Sequence, residues 1–201
     1  MNRPPTPFSQ LLDNWLASKK PKTIAGLMTV SSEKSFAIIF MVLMAIPALP
    51  LPTGGVTHVF EIITALVALE LVAGRRTVWL PSRWLHRPLG NTLEKKTLPY
   101  LSRKIAWLEK HSRPRWGGLL RSRAYLRLVG LAVIVLTAGA FLAPPFSGLD
   151  TIPALGVVGV ALSLILDDFV IFAAGFVVGI FGIVLEISLG AAIVTFIQRT
   201  F

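Results

Sequence analysis

The chain has 201 residues, of which 54% are hydrophobic and 15% charged, and its mean hydropathy is +0.70; a soluble domain is about 25% charged. This composition excludes an ordinary soluble globular domain and predicts an all-α integral membrane protein. The net charge of +10 would suit a polyanion, but fourteen of the twenty Lys and Arg residues lie between Arg75 and Arg127, with only Glu94 and Glu109 as acids there. That asymmetry is the mark of a cytoplasmic segment, and no nucleic-acid partner is expected. Without cysteine, disulfides, thiolate metal sites and cysteine nucleophiles are excluded.

Residues 1–34 read as an amphipathic cytoplasmic segment. Thr6 and Pro7 predict a helix start, with the hydroxyl as cap and the proline at the first helical position. Phe8, Leu11, Leu12, Trp15 and Leu16 then recur at three- and four-residue spacing, and Lys19, Lys20 and Lys22 form a basic end suited to anionic headgroups. The apolar face has two readings, a membrane surface or the protein's own cytoplasmic region. Pro4, Pro5, Pro7 and Asp13 interrupt any cleavable-signal pattern, so insertion is expected to rely on internal segments.

Residues 35–74 contain only His58, Glu61 and Glu70 as ionisable groups. As helix they would extend about 60 Å, enough for two passes through a hydrocarbon core about 30 Å thick. Ile46 to Gly55 cuts this run with Pro47, Pro50, Pro52, Gly54 and Gly55. Proline cannot continue the helical ladder, and a freed backbone group in lipid costs several kcal/mol, so the break must face water, protein or a cavity. Basic residues at both ends make 35–74 a proline-broken hairpin that either crosses fully or is re-entrant; periodicity does not separate the two.

Residues 75–127 read as a basic cytoplasmic linker on the membrane surface. Trp79, Trp84, Trp107 and Trp116 suit an interfacial belt, and Leu98, Leu101, Ile105 and Leu108 form a helical stripe. Residues 128–201 repeat the first design. A charge-free run from Leu128 to Leu149 contains Pro144, Pro145 and Gly148, Asp150 and Pro153 follow, a second arm runs to Leu166, and Asp167-Asp168 precede an apolar stretch interrupted only by Glu186. About five hydrophobic helices are expected in two hairpin repeats, with amphipathic surface helices beside them. Gly175-x-x-x-Gly179 and Gly182 suit close helix packing, either within the chain or at a homodimer face.

Ionisable groups inside a membrane are functional candidates by default. His58 and Glu61, three residues apart, share a helix face just after the first break, whereas Glu61 and Glu70 fall on nearly opposite faces. Asp167 and Asp168 read as a turn between spans or a cation or proton site, and Glu186 as a buried acid or, were its run two short helices, a loop residue. Arg75 and Arg76 could clamp a lipid phosphate or mark topology. Glu70 is expected to pair with these arginines. No phosphate-cradling loop or His-Glu-x-x-His motif is present, and His58, His86 and His111 do not define a metal site; no catalytic residue, metal or cofactor is expected.

Gly74-Arg75-Arg76 with Trp79-Leu80-Pro81, the Pro47-x-x-Pro50-x-Pro52 break, Leu108-Glu109-x-x-x-Arg113-Pro114-Arg115, and the order Pro144-Pro145 to Pro153-Ala154-Leu155 together resemble the ExoD family of bacterial exopolysaccharide-synthesis membrane proteins. The resemblance implies a multi-pass inner-membrane protein connected with exopolysaccharide production, and supplies no reaction. The duplicated broken hairpins also resemble the re-entrant architecture of DedA-type proteins, which implies lipid translocation by analogy alone. Two functions follow as expectations. One is translocation of a lipid-linked saccharide, a lipid or an ion through His58, Glu61 and the two breaks. The other is a non-catalytic accessory role in polysaccharide-synthesis machinery.

Overall fold

A computed structural model describes residues 7–30, 34–50, 56–75, 77–79, 81–111, 122–144 and 147–200. Among these the chain is helical, with no strand beyond an isolated bridge between Thr23 and Pro88. In order come α1 (Phe8–Ala17), α2 (Ile24–Met28), α3 (Ser35–Met44), α4 (Val56–Val72), α5 (Ser82–Leu85), a π turn (Leu93–Thr97) leading into α6 (Leu98–His111), α7 (Arg123–Leu142), α8 (Thr151–Leu166) and α9 (Phe169–Thr200). Two of them, α7 and residues 169–192 of α9, are long and apolar enough to cross a membrane.

The remaining apolar helices are shorter. Ten residues give α3 a length of about 15 Å, half a hydrocarbon core, and the sixteen of α8 about 24 Å. The forty residues expected to make two passes thus hold one short helix, a break and a seventeen-residue helix. Phe169 onward forms a single helix, so Glu186 is helical and not a loop residue.

Burial explains why α3 is apolar on every face. Phe36 to Val42 and Met44 are all buried. One face packs on α8 and α4, and Ile38, Met41 and Val42 line one small cavity with Phe8, Leu12, Leu27, Leu98 and Leu101 of the amphipathic helices. The expected stripe of α1 therefore lies on the protein itself, with Phe8, Leu12 and Trp15 buried against the α6 layer. Outer faces of α4, α7 and α9 show the opposite character. They expose Val59, Ile62, Leu66, Leu131, Val177 and Phe181, large apolar side chains of the kind that mark contact with lipid or protein.

Close packing of α8 on α9 follows from glycine. A Cβ on Gly156 would stand 2.5 Å from Cα of Gly179, and one on Gly175 would stand 2.7 Å from the carbonyl carbon of Gly159. Gly182 meets Ile152 and Pro153 of α8 in the same way, so these glycines serve packing within the chain.

The start of α1 corrects the expected cap. Pro7 precedes the helix instead of opening it, and no side chain of its own segment caps it. Glu109 of α6 does so from a distance: its carboxylate accepts from Phe8 N–H at 2.7 Å, from Ser9 N–H at 3.3 Å and from the Ser9 hydroxyl. Ser102 Oγ also donates to Asp13 Oδ1 at 2.6 Å, which completes the α1–α6 clasp.

Candidate functional site at the hairpin tips

The described flanks of the two breaks lie after α3 and after α7. After Met44, Ala45 to Ala48 continue as a turn that includes Pro47, with Ala48 N–H bonded to Met44 O at 2.9 Å; Pro50 lies just beyond. The second break opens at Ala143-Pro144 and turns at Gly148, whose φ of +68° favours glycine. Pro153 departs from expectation. It is the third residue of α8, where the first-turn N–H groups have no intrahelical partner, so it starts a helix and breaks none. Pro52, Gly54, Gly55, Pro145 and Arg76 lie outside the described residues.

The two tips meet. The His58 ring packs on Phe141 of α7 with centroids 4.9 Å apart, and α4 lies along α7. His58 Nδ1 is 2.7 Å from Glu61 Oε2, the pairing that their three-residue spacing predicts. Glu61 is fully buried, and its other oxygen, Oε1, has no hydrogen-bond partner among the described residues. Asp150 lies just past the second break, at the head of α8. Glu186 is 8% exposed, with Oε2 buried and unpartnered. Sequence reasoning missed Asp150, although it follows its break much as His58 and Glu61 follow theirs.

Hydroxyls complete the setting. Thr137 is one turn before Phe141 on α7, and Thr151 follows Asp150; both Oγ1 atoms are buried without a partner. The polar atoms thus come from α4, α7, α8 and α9. Buried polar groups left unmatched are costly, so each of these atoms is a candidate contact for a ligand that brings donors.

The other predicted acids do not join this site. Asp167 adopts the left-handed conformation, φ 51°, that ends α8, and Asp168 Oδ1 accepts from Val170 N–H at 2.9 Å at the start of α9. Lys34 donates to Ile165 O and lies 3.5 Å from Asp167 Oδ2. Glu70 accepts from Trp79 N–H at 2.8 Å and lies 3.9 Å from Arg75, whose guanidinium is also 6.0 Å above the Trp79 ring. These groups form the opposite end of the bundle, where Tyr125 Oη lies 3.3 Å from Ser163 Oγ. Among the described residues no cluster of three His, Asp or Glu could hold a metal ion.

Comparison with known proteins places the chain in a sequence family. The sequence model described as "Exopolysaccharide synthesis, ExoD" matches residues 8–188. A protein of Synechocystis sp. named only as uncharacterized is 30% identical over 169 residues, covering 82% of this chain and 77% of its own length. Protein ExoD of Rhizobium meliloti is 26% identical over 174 residues, covering 84% and 71%. No solved structure matches.

Proposed function

The chain belongs to the ExoD exopolysaccharide-synthesis family, and from that premise and the tip geometry we propose that it is a multi-pass inner-membrane translocator. In this reading the apolar belt of α4, α7 and α9 faces lipid, and the basic residues between Arg75 and Arg127 hold the opposite end of the bundle at the cytoplasmic surface. The hairpin α3–α4 is re-entrant, because a fifteen-ångström helix sheathed by protein has neither the length nor the surface of a full crossing.

One observation carries the reading: His58 and Phe141, which flank the two breaks and are distant in sequence, pack together beside the buried Glu61. Broken helices at corresponding places in two halves are the arrangement in which transport sites form, because their ends offer free backbone groups inside the bilayer. The substrate class that fits the family is a lipid or lipid-linked saccharide. In proteoliposomes carrying labelled phosphatidylglycerol or a labelled polyprenyl-diphosphate sugar, the protein should move label between leaflets, and Glu61→Gln should slow that movement without changing the gel-filtration profile. No movement of either probe would defeat the reading.

A second reading has its own observation. The outer face of α6 exposes Tyr100, Arg103, Lys104 and Trp107, with Lys104 5.5 Å above the Tyr100 ring. A basic aromatic face of this kind suits an accessory role, holding an acidic partner of the polysaccharide machinery. Arg103→Ala with Lys104→Ala would then abolish co-purification of that partner and leave any lipid movement intact.

A further inference from the structure

We propose that the outer face of α6 seats on the anionic phosphate headgroups of the leaflet around the chain, so that the acidic occupant of this face is the membrane surface and not a protein. The proposal rests on the membrane placement given above and is independent of whether any lipid is moved.

The distribution of charge is the first argument. Lys96, Tyr100, Arg103, Lys104, Trp107 and Lys110 recur at three- and four-residue spacing and are all exposed, so four cations and two rings share one side of the layer. The acids of the same elements are turned away from that side. Glu109 is spent on the start of α1, Asp13 of α1 accepts from Ser102, and Glu94 is half-buried in the π turn. Among the described residues no ion pair joins any of the four cations to an acid. A face that gathers one sign, while the opposite sign is drawn into the α1–α6 seam, is complementary to an anionic surface.

Side-chain type then chooses the bilayer over an acidic protein. Three of the four cations are lysine, which is depleted from protein–protein interfaces and drawn to anionic lipid. Tyr100 and Trp107 are 54% and 58% exposed, rings with a polar tip that belong at headgroup depth. With Arg103, Lys104 and Leu108 they line an open groove of about 540 Å³, room enough for a phosphate headgroup. The helix cannot roll to hide these rings, because Leu98, Ser102 and Ile105 on its inner side are buried.

Fluorescence quenching in vesicles tests this on the full-length protein. Flotation with phosphatidylcholine vesicles in high salt comes first: protein left at the bottom of the gradient defeats the membrane placement and this proposal together. In embedded protein, the emission of Trp107 is taken as the difference between the unsubstituted chain and Trp107→Phe, and the quencher is a doxyl group placed high on a lipid acyl chain. Trp107 should be quenched, and about twofold more strongly when a minor fraction of phosphatidylglycerol carries the doxyl than when the same fraction of phosphatidylcholine does. Arg103→Ala with Lys104→Ala should make the two lipids equal, and raised salt should narrow the gap. If Trp107→Phe alters the gel-filtration profile, bimane on Lys110→Cys reads the same contrast in the otherwise cysteine-free chain. Quenching by aqueous acrylamide but by neither lipid would turn the face to water, where an acidic protein could reach it, and would overturn the proposal while the embedded chain stands. Equal quenching by the two lipids in the unsubstituted chain would overturn the anionic preference. Leaflet exchange is read separately, so its absence would defeat the translocator reading and leave this contact intact.

Discussion

At the end of the bundle where α8 turns into α9, Asp167, Asp168 and Glu70 each meet a lysine, an arginine or a backbone N–H, whereas Glu61 and Glu186 each keep one buried oxygen unmatched among the described residues. Both regions are acidic, and both were candidates on sequence. Their difference separates acids that hold helix ends in place from acids buried with an oxygen to spare: the first cap and pair locally, the second lie on α4 and α9 with one oxygen unmatched among the described residues. Substitutions at the two ends should therefore affect different properties.

The largest structural effect is expected between them, in the glycine contact that sets the spacing of α8 and α9. Gly156→Leu places side chain where Gly179 backbone stands and should cost on the order of 3 kcal/mol, or prevent folding, as read by thermal unfolding in detergent. Glu109→Ala should cost about 1–2 kcal/mol by uncapping α1, and limited proteolysis should then cut near residue 8 much faster. At the base, Asp168→Ala should cost about 1 kcal/mol through loss of its bond to Val170 N–H. Lys34→Ala should cost less than about 1 kcal/mol, since its pair with Asp167 is partly exposed.

The tips should respond in the opposite sense. Glu61→Gln replaces a buried acid whose hydrogen-bond partner among the described residues is His58, so melting temperature should stay level or rise while lipid movement slows. A drop in stability as large as that of Asp168→Ala would erase the distinction between the two ends and assign Glu61 to architecture.

Much of this was legible from residue order. Hydropathy and prolines located the helices and both breaks, and helical spacing alone placed His58 against Glu61. Periodicity also marked the stripe of α1, but whether it met lipid or protein depended on α6, far away in sequence. The same limit hid the role of Glu109, which caps a helix about a hundred residues upstream. Glu186 was visible as a charge in apolar surroundings, yet nothing local indicated that it is buried within one long helix. Length misled where burial intervened: an apolar run suggests lipid, but α3 is enclosed by α1, α2 and α6 on one side and by α4 and α8 on the other.

The meeting of the two tips is the claim on which the rest depends, and the cysteine-free chain permits a direct measurement. With His58→Cys and Phe141→Cys in one chain, a short bifunctional methanethiosulfonate reagent should leave one bridge per molecule, seen by intact mass as a single cross-linked adduct in the membrane-embedded protein. Two separate one-ended adducts, with no bridged species, would contradict a junction between the hairpin tips.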